Sequence, residues 1–232
     1  MPRHASVRRV TDTVWSEPRA TPRLSDGVVD VWRADLAVAG EPERSLLSPA
    51  ERARADRFVR PEDGRRWARA RGILRALLGD YADADPAELR FEEGAHGKPA
   101  LVGHRLRFNL SHSGDTALYA LALGVEVGVD VELPRRELDH VALAARALGA
   151  ETAARLEALD PAAREREFLR AWVRWEAVLK CRGTGIGGVE EAPAGPAPWV
   201  RELDLGEAGA AALAVADSGA MLRCWRWPIA GA

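Results

Sequence analysis

The amino-acid sequence predicts an α+β fold built from two halves, and two observations support this class. Runs rich in valine, leucine and alanine predict strands in both halves, among them a valine-rich run that starts at Val125 and ends before Pro134. Segments with apolar residues at helical spacing, several of them opened by a capping residue and a proline, predict helices in both halves. Because each half mixes the two kinds of element, we expect two α+β subdomains with a boundary near Gly124.

The chain is expected to divide into a leader and two subdomains. Residues 1–26 are rich in Arg, Ser, Thr and Pro and show no period, which predicts a mobile leader. Residues 27–124 would then form the N-terminal subdomain and residues 125–232 the C-terminal subdomain.

The N-terminal subdomain begins with a predicted strand at 28–36. Ser48, Pro49 and Glu51 have the pattern of a capping box with proline in the first turn, so a helix is expected to run from there to about residue 58. A second helix begins near Glu62 and keeps its large apolar residues on one face. The arginines of the other face and of the neighbouring helix are expected to be mostly solvated, although some could form an anion cradle: Arg54, Arg57, Arg65, Arg66, Arg69, Arg71 and Arg75.

Shorter elements are predicted between this helix and Gly124. Asp85 and Pro86 are expected to open a short helix by the same capping logic, and 89–91 is a candidate strand. A glycine-punctuated loop then covers 94–99. Three further strands are predicted at 106–110, 116–123 and 126–132. The last two are expected to pair as a hairpin through Gly124.

The C-terminal subdomain is predicted to hold three helices followed by three strands. Residues 138–159 contain two short alanine-rich helices broken at Gly149. The most clearly marked helix has Asp160 as its N-cap and Pro161 as its first residue, and Gly183 ends it. A loop rich in Gly, Pro and Glu covers 183–198, and the strands are expected near 199–205, 210–216 and 221–227.

Bulk composition narrows the function classes. A net charge of −2 gives no global basic field, so we expect no nucleic-acid partner. No apolar run approaches the roughly 20 residues that a membrane span needs, so we expect no membrane partner. Cys181 and Cys224 are the only cysteines, which are too few for a disulfide framework or a cysteine-rich zinc site and favour a reducing, cytoplasmic environment.

Asp130 and Glu132 lie two residues apart in the valine-rich predicted strand. Successive strand side chains point to opposite faces, so the two carboxylates share one face while Val129 and Val131 point the other way. Hard oxygen ligands of this kind suit Mg²⁺. The solvated face of a half-buried antiparallel strand explains the pair equally well when it is taken alone.

The two lysines are informative because the other 31 of the 33 basic residues are arginine. Such a bias fits a GC-rich genome, and against it each remaining lysine is a candidate for a role that needs a compact charge on a flexible stem. Lys180 follows Glu176 by one helical turn, so the two side chains share a face. An ordinary helix ion pair, worth about 0.3–0.5 kcal/mol, is the alternative explanation of that spacing. Lys98, the other lysine, lies in the 94–99 loop.

Ser111 and His112 follow the predicted end of a strand. A hydroxyl, an imidazole and free backbone amides at that place would suit a phosphate group. Adjacent residues on an extended chain diverge, so the pair is not expected to work as nucleophile and base. Together with three carboxylates, two lysines and an arginine-rich face, these residues predict Mg²⁺-assisted phosphoryl chemistry on a polyanionic ligand.

Four segments in register resemble the surfactin-type 4'-phosphopantetheinyl transferases. They are 97–99 (GKP), 108–114 (FNLSHSG), 128–132 (GVDVE) and 172–180 (WVRWEAVLK), and their order and spacing fit the family over about residues 28–227. The resemblance implies two similar α+β subdomains related by a pseudo-twofold, with coenzyme A bound in the cleft between them. It also implies a monomer that transfers the phosphopantetheine arm to a serine of an acyl or peptidyl carrier protein and releases adenosine 3',5'-bisphosphate.

The resemblance assigns roles to individual residues. Asp130, Glu132 and Glu176 would hold Mg²⁺ on the pyrophosphate, and Glu176 would also deprotonate the carrier serine. Lys180 would steady the pyrophosphate and the leaving phosphate. Ser111, His112 and Arg54 would bind the 3'-phosphate. The turn of Gly97, Lys98 and Pro99 would line the adenine.

Two departures from the family pattern leave other functions open. Trp175 stands where the family usually has a lysine, and Arg174 or Arg170 would have to supply that charge from a different angle. Ala147 and Leu148 replace the family's usual aromatic pair after the 126–132 strand. A non-catalytic binder of coenzyme A or carrier proteins is therefore the alternative to the transferase, and a metal-dependent phosphohydrolase ranks third.

Overall fold

A computed structural model describes residues 13–37, 42–94, 96–134, 138–185, 196–206 and 209–228. The part of the leader before residue 13 and most of the 183–198 loop lie outside the described residues. The fold is α+β, as predicted, with three sheets and five α-helices among the described residues. No described helix is both long and apolar enough to cross a bilayer.

The largest sheet has four strands in the order β4-β5-β1-β9. Its strands are β1 (Val28–Asp35), β4 (Leu106–Ser113), β5 (Thr116–Leu123) and β9 (Met221–Arg226). Strand β5 runs antiparallel to both β4 and β1, whereas β9, which comes last among the described strands, lies parallel to β1. The last strand of the sequence therefore belongs to the sheet that the first strand helps to form.

A second sheet has the order β6-β8-β7, and a short hairpin stands beside the first. The three strands of the second sheet are antiparallel: β6 (Val127–Glu132), β7 (Trp199–Leu203) and β8 (Ala210–Val215). The hairpin pairs β2 (Phe91–Glu93) with β3 (Pro99–Leu101). The two larger sheets share an apolar core to which β1, β5, β6 and β8 all contribute.

The helices begin and end close to their sequence signals. They are α1 (Pro49–Ala55), α2 (Pro61–Ala82), α3 (His140–Ala147), α4 (Ala150–Glu157) and α5 (Pro161–Arg182). The capping box at Ser48 forms as predicted, since its side chain and that of Glu51 each accept the other residue's backbone N–H. Asp160 caps α5, and Gly183 closes it in the left-handed conformation. A 3-10 helix at Pro42–Leu46 was not predicted.

Helices cover the outer face of each large sheet. The apolar face of α2, with Ile73, Leu74, Leu77 and Leu78, packs against the four-stranded sheet. The apolar face of α5, with Phe168, Leu169, Val173 and Ala177, packs against β8. The order of layers is thus helix, sheet, sheet, helix, and it places β4 and β6 next to one another where the two sheets meet.

Two local predictions were wrong. Strand β6 does not form a hairpin with β5 through Gly124; it pairs with β8, and β5 lies between β4 and β1. The segment after Asp85 is a single turn rather than a helix. Arg75 donates to the carbonyl oxygens of Pro86 and Leu89, at 2.7 and 3.3 Å, so those acceptors serve a side chain and the helix does not propagate.

Candidate active site

Gly128 brings helix α5 into direct contact with strand β6. A Cβ atom at Gly128 would lie 2.1 Å from the carbonyl oxygen of Ala177 and 2.2 Å from the amide nitrogen of Cys181, so only glycine allows this approach. Asp130 and Glu132 follow Gly128 at two-residue intervals and share its face. Val129 and Val131 face the core on the other side, as the sequence predicted.

Asp130 is the most buried carboxylate of this region, with 2% of its surface exposed. Its Oδ1 accepts hydrogen bonds from Lys180 Nζ at 2.5 Å and from Ser111 Oγ at 2.7 Å. Its Oδ2 is buried and has no hydrogen-bond partner among the described residues. A buried carboxylate oxygen without a partner is costly, so Asp130 has unused capacity for a cation.

Glu176 lies on α5 close to Lys180, whose Nζ is 3.8 Å from Glu176 Oε2. Burial raises the pKa of Glu176, and the negative charges of Asp130 and Glu132 raise that pKa further, while Lys180 opposes them. The three carboxylates therefore act on one another electrostatically. A raised pKa makes Glu176 a better proton acceptor than an exposed glutamate.

The chemistry of these carboxylates fits Mg²⁺, although their positions fit it only in part. Three hard oxygen-ligand side chains face one region, and one of their oxygens is buried with no partner in the described part of the chain. Within the described ranges, however, no group of three His, Cys, Asp or Glu side chains is close enough to hold a metal ion. The ammonium of Lys180 contacts Asp130 and lies near Glu176, so it already supplies positive charge to the carboxylates. The side chains would have to converge further to share one ion.

Strand β4 supports the carboxylates through three alternate side chains, two of which the sequence analysis missed. Ser113 Oγ donates to Glu132 Oε2 at 2.9 Å, and Asn109 Oδ1 accepts the backbone N–H of Val129 at 2.9 Å. Ser111 completes the series by donating to Asp130. The available signal was the run of hydrogen-bonding residues at two-residue spacing, which places all three on one face of a strand.

The expectation that Ser111 and His112 lie beyond the end of a strand was wrong. Strand β4 continues to Ser113, and the two residues pair with Leu118 and Ala117 of β5 inside the antiparallel ladder. Their side chains diverge, as expected of neighbours on an extended chain. Ser111 reaches Asp130, whereas His112 lines a cavity on the other side of β4.

That cavity has a volume of about 650 Å³, which is within the range of small-molecule sites. It brings together four of the residues predicted to bind the coenzyme, namely Arg54, Gly97, Pro99 and His112. The guanidinium of Arg54 lies over the ring of Trp67, with its carbon 5.1 Å from the ring centroid. The other lining residues are Ala50, Glu51, Arg57, Trp67, Ala70, Arg71, Leu74, Glu93, Phe108, Asn109 and Leu110.

Four arginines from the set expected to be mostly solvated pair with carboxylates, and two of them, Arg69 and Arg75, are buried. Arg71 and Arg75 both contact Glu51, with nitrogen–oxygen distances of 2.5 and 2.7 Å. Arg69 pairs with Glu43, and Arg66 pairs with Asp115. The expectation was wrong for Arg69 and Arg75, because α2 turns them toward neighbouring elements, whereas Arg66 and Arg71 are paired but partly exposed. Arg54 and Arg57 pair with no carboxylate of a described residue, so their charges remain available to an anion in the cavity.

The side chain of Lys98 points away from the cavity that its neighbours line. Its Nζ lies 2.5 Å from Glu126 Oε2, 3.0 Å from the carbonyl oxygen of Val127 and 3.1 Å from that of Cys181. Gly97 and Pro99 line the cavity without it.

Trp175 is half-buried and packs against Trp172, with ring centroids 5.2 Å apart. The two arginines that might have replaced the family's lysine are engaged elsewhere. Arg174 binds Glu202 at 2.8 Å, and Arg170 binds Glu167 at 2.9 Å.

Comparison with known proteins gives a consistent family. A family model described as "4'-phosphopantetheinyl transferase, N-terminal" matches residues 41–123, and one described as "4'-phosphopantetheinyl transferase superfamily" matches residues 126–209. The 4'-phosphopantetheinyl transferase HetI of a Nostoc species is 37% identical over 227 residues, which cover 88% of this chain and 94% of that protein.

Two further relatives match over shorter stretches. A putative 4'-phosphopantetheinyl transferase of a Synechocystis species is 37% identical over 148 residues, covering 62% of this chain and 60% of that protein. The 4'-phosphopantetheinyl transferase AcpT of Escherichia coli K12 is 35% identical over 140 residues, covering 59% of this chain and 66% of that protein.

Proposed function

The chain belongs to the 4'-phosphopantetheinyl transferase superfamily, and from this premise we propose that it transfers the phosphopantetheine arm of coenzyme A to a serine of an acyl or peptidyl carrier protein. The pairing of Lys180 with Asp130, whose second oxygen is buried and has no partner among the described residues, carries the proposal. The pair places a lysine beside a carboxylate that has room for a further cation. Phosphoryl transfer from a pyrophosphate needs such positive charge where negative charge develops.

The carboxylates form the catalytic part of the proposed site. Asp130, Glu132 and Glu176 would hold Mg²⁺, which supplies Lewis-acid stabilisation of the negative charge on the pyrophosphate. Glu176 takes the proton of the carrier serine as the general base. The serine oxygen then bonds to the phosphorus that bears the pantetheine arm, and the bond from that phosphorus to the bridging oxygen breaks. Lys180 stabilises the charge on the departing adenosine 3',5'-bisphosphate.

The 650 Å³ cavity forms the proposed coenzyme site. Arg54 and His112 would bind the 3'-phosphate, and the turn of Gly97 and Pro99 would line the adenine. Ser111, which the resemblance assigns to the 3'-phosphate, lies on Asp130 in this structure, so we assign it to the carboxylate side. Lys98 belongs to this turn through its backbone, and its side chain does not contact the proposed adenine site.

We further propose that the chain is of the surfactin type and acts as a monomer in the cytoplasm, making holo forms of acyl or peptidyl carrier proteins. The four segments between residues 97 and 180 that resemble the surfactin-type enzymes support this subtype. Two cysteines that are free and buried, Cys181 and Cys224, suit a reducing compartment.

The test is to incubate the protein with coenzyme A, Mg²⁺ and apo carrier proteins from fatty-acid, polyketide and peptide synthesis, and to follow carrier mass by mass spectrometry. We expect the mass of phosphopantetheine to appear on at least one carrier. No adduct on any of them would overturn the proposal.

The second candidate is a coenzyme A or carrier-protein binder that has lost catalysis. Trp175 favours it, since neither Arg170 nor Arg174 is placed to replace the missing lysine. Tight binding of coenzyme A by calorimetry, with no transfer to any carrier, would support this candidate over the enzyme.

A further inference from the structure

Lys98 connects three parts of the site through one ammonium group. It belongs to the turn whose other members, Gly97 and Pro99, line the coenzyme cavity. Its three N–H groups meet three acceptors, on Glu126, Val127 and Cys181, at 2.5, 3.0 and 3.1 Å. Only 16% of its side chain is exposed, so these contacts satisfy a largely buried charge.

Two of the three acceptors are main-chain oxygens of the elements that carry the carboxylates. Val127 begins β6 and precedes Asp130 by three residues. Cys181 follows Lys180 directly, in the last turn of α5. Carbonyl oxygens in the last turn of a helix lack intrahelical partners, and a cation there is favourable. The ammonium therefore fixes the ends of β6 and α5 to each other and to the cavity turn.

The geometry explains why this position is one of the chain's two lysines. The three acceptors come from different parts of the chain and surround the single nitrogen atom of Lys98. A compact ammonium can bond to all three, whereas a planar guanidinium cannot. The stem passes beside Gly183, where an added Cβ would lie 3.4 Å from Lys98 Cδ. An arginine would have to spread its planar fork in this space.

We propose that Lys98 is a positioning residue that holds Glu176 and Lys180 of α5 in register with Asp130 of β6 while its own turn forms the wall of the coenzyme cavity. The proposal rests on the proposed transferase function. Under this proposal, coenzyme binding depends on the backbone of the turn, which forms the cavity wall. The alignment of the carboxylates depends on the Lys98 ammonium. If the ammonium contacted the coenzyme directly, both properties would change together in a Lys98 variant.

The experiment compares Lys98→Met and Lys98→Arg with a matched control, Arg107→Met. Arg107 pairs with the same Glu126 carboxylate at 3.0 Å, but none of its hydrogen bonds reaches the main chain of β6 or α5. Since misplacing a catalytic group by about 1 Å can cost on the order of 100-fold in rate, we expect kcat to fall about 10- to 100-fold in both Lys98 variants. We expect the KM for coenzyme A to change less than about threefold, and Arg107→Met to behave like the wild type.

Three results would overturn the proposal. An increase in KM for coenzyme A with kcat unchanged would make Lys98 a direct ligand. A lower melting temperature with normal kcat would make it merely structural. An equal loss of kcat in Arg107→Met would assign the effect to Glu126. Should Lys98→Met fail to fold, Lys98→Arg carries the same comparison.

A second readout does not depend on turnover. Hydrogen exchange of the amides of Gly183 and Thr184, which bond to the last turn of α5, should quicken in both Lys98 variants and stay unchanged in Arg107→Met. If the wild type transfers nothing to any carrier, the proposed function fails, yet this measurement still tests the anchoring of α5. Unchanged exchange in the Lys98 variants would refute that anchoring.

Discussion

The ammonium of Lys180 lies 2.5 Å from one carboxylate oxygen of Asp130, while the other oxygen of that carboxylate is buried without a partner among the described residues. Lys180 thus neutralises only part of a carboxylate that also repels Glu176. In the proposed reaction, the pyrophosphate and its counter-ion would meet at this lysine. The proposal therefore predicts that catalysis depends on the identity of the cationic side chain as well as on its charge.

Lys180→Arg should therefore remove most of the activity although the charge is kept. The compact ammonium reaches both Asp130 and Ser111, and a planar guanidinium cannot occupy the same space between β6 and α5. We expect kcat for phosphopantetheine transfer to fall by about 100-fold or more. The control is the reverse exchange Arg170→Lys on the exposed side of α5, which should leave kcat unchanged. Wild-type turnover in Lys180→Arg would show that any cation suffices.

Arg54→Met should weaken recognition of the 3'-phosphate specifically. Its guanidinium lies in the cavity over Trp67 and pairs with no described carboxylate, so it is available to a phosphate. Loss of one charge-assisted contact predicts an increase of about 10- to 100-fold in KM for coenzyme A. The KM for 3'-dephospho-coenzyme A should not change. Arg65→Met, on the exposed side of α2, is the control, and an equal effect on both substrates would remove Arg54 from the phosphate site.

Much of the fold could be predicted because its signals are local. The limits of α5 follow from Asp160, Pro161 and Gly183, each of which acts within one turn of the helix end. The shared face of Asp130 and Glu132 follows from strand geometry alone. These features need no knowledge of what lies elsewhere in the chain.

The errors concern partners that are distant in sequence. Strand β6 has a neighbour, β5, at the right separation for a hairpin, but its apolar face is completed by β8, whose Val215 pairs with Val127. Periodicity shows which face a strand buries and not which strand it joins. In the same way, the acceptors of Lys98 include main-chain oxygens of β6 and α5, which have no signature in a sequence.

The stability of the N-terminal half should depend on pH through Glu51. Although burial alone would raise the pKa of Glu51, hydrogen bonds from Arg71, the Ser48 backbone and Arg75 lower it to about 2. Because the pKa of Glu51 in the folded protein lies below its ordinary value of 4.5, this stabilisation is present above about pH 4.5 and is lost as the pH falls toward 2.

Glu51→Gln should consequently destabilise the protein at pH 7 and flatten its response to acid. Solvent screening at this partly buried site limits the loss to about 1–2 kcal/mol. Thermal melts between pH 2 and 7 measure it, with Glu62→Gln, an exposed carboxylate at the start of α2, as the control. Equal acid sensitivity in Glu51→Gln and the wild type would contradict the assignment.

Ser113→Ala should weaken metal binding without touching a proposed ligand. Ser113 Oγ donates to Glu132 Oε2 at 2.9 Å and accepts the backbone N–H of Leu133 at 3.2 Å, so it fixes the carboxylate against the end of β6. Groups that orient a metal ligand typically contribute about 10- to 100-fold to metal affinity, and we expect a loss of that size. Titration with Mn²⁺, followed by electron paramagnetic resonance in the absence of coenzyme A, measures it directly. Ser113→Thr keeps the hydroxyl and should restore affinity.

The control for Ser113→Ala is Thr21→Val, which removes another hydroxyl that donates to a carboxylate, that of Asp80, at 2.6 Å. This pair is exposed and remote from β6, so Mn²⁺ affinity should stay at the wild-type value. Because the Asp130 and Glu176 carboxylates remain, loss of the Ser113 hydroxyl should lower the affinity without abolishing binding. Unchanged Mn²⁺ affinity in Ser113→Ala would mean that Glu132 is held by other contacts or takes no part in binding the metal.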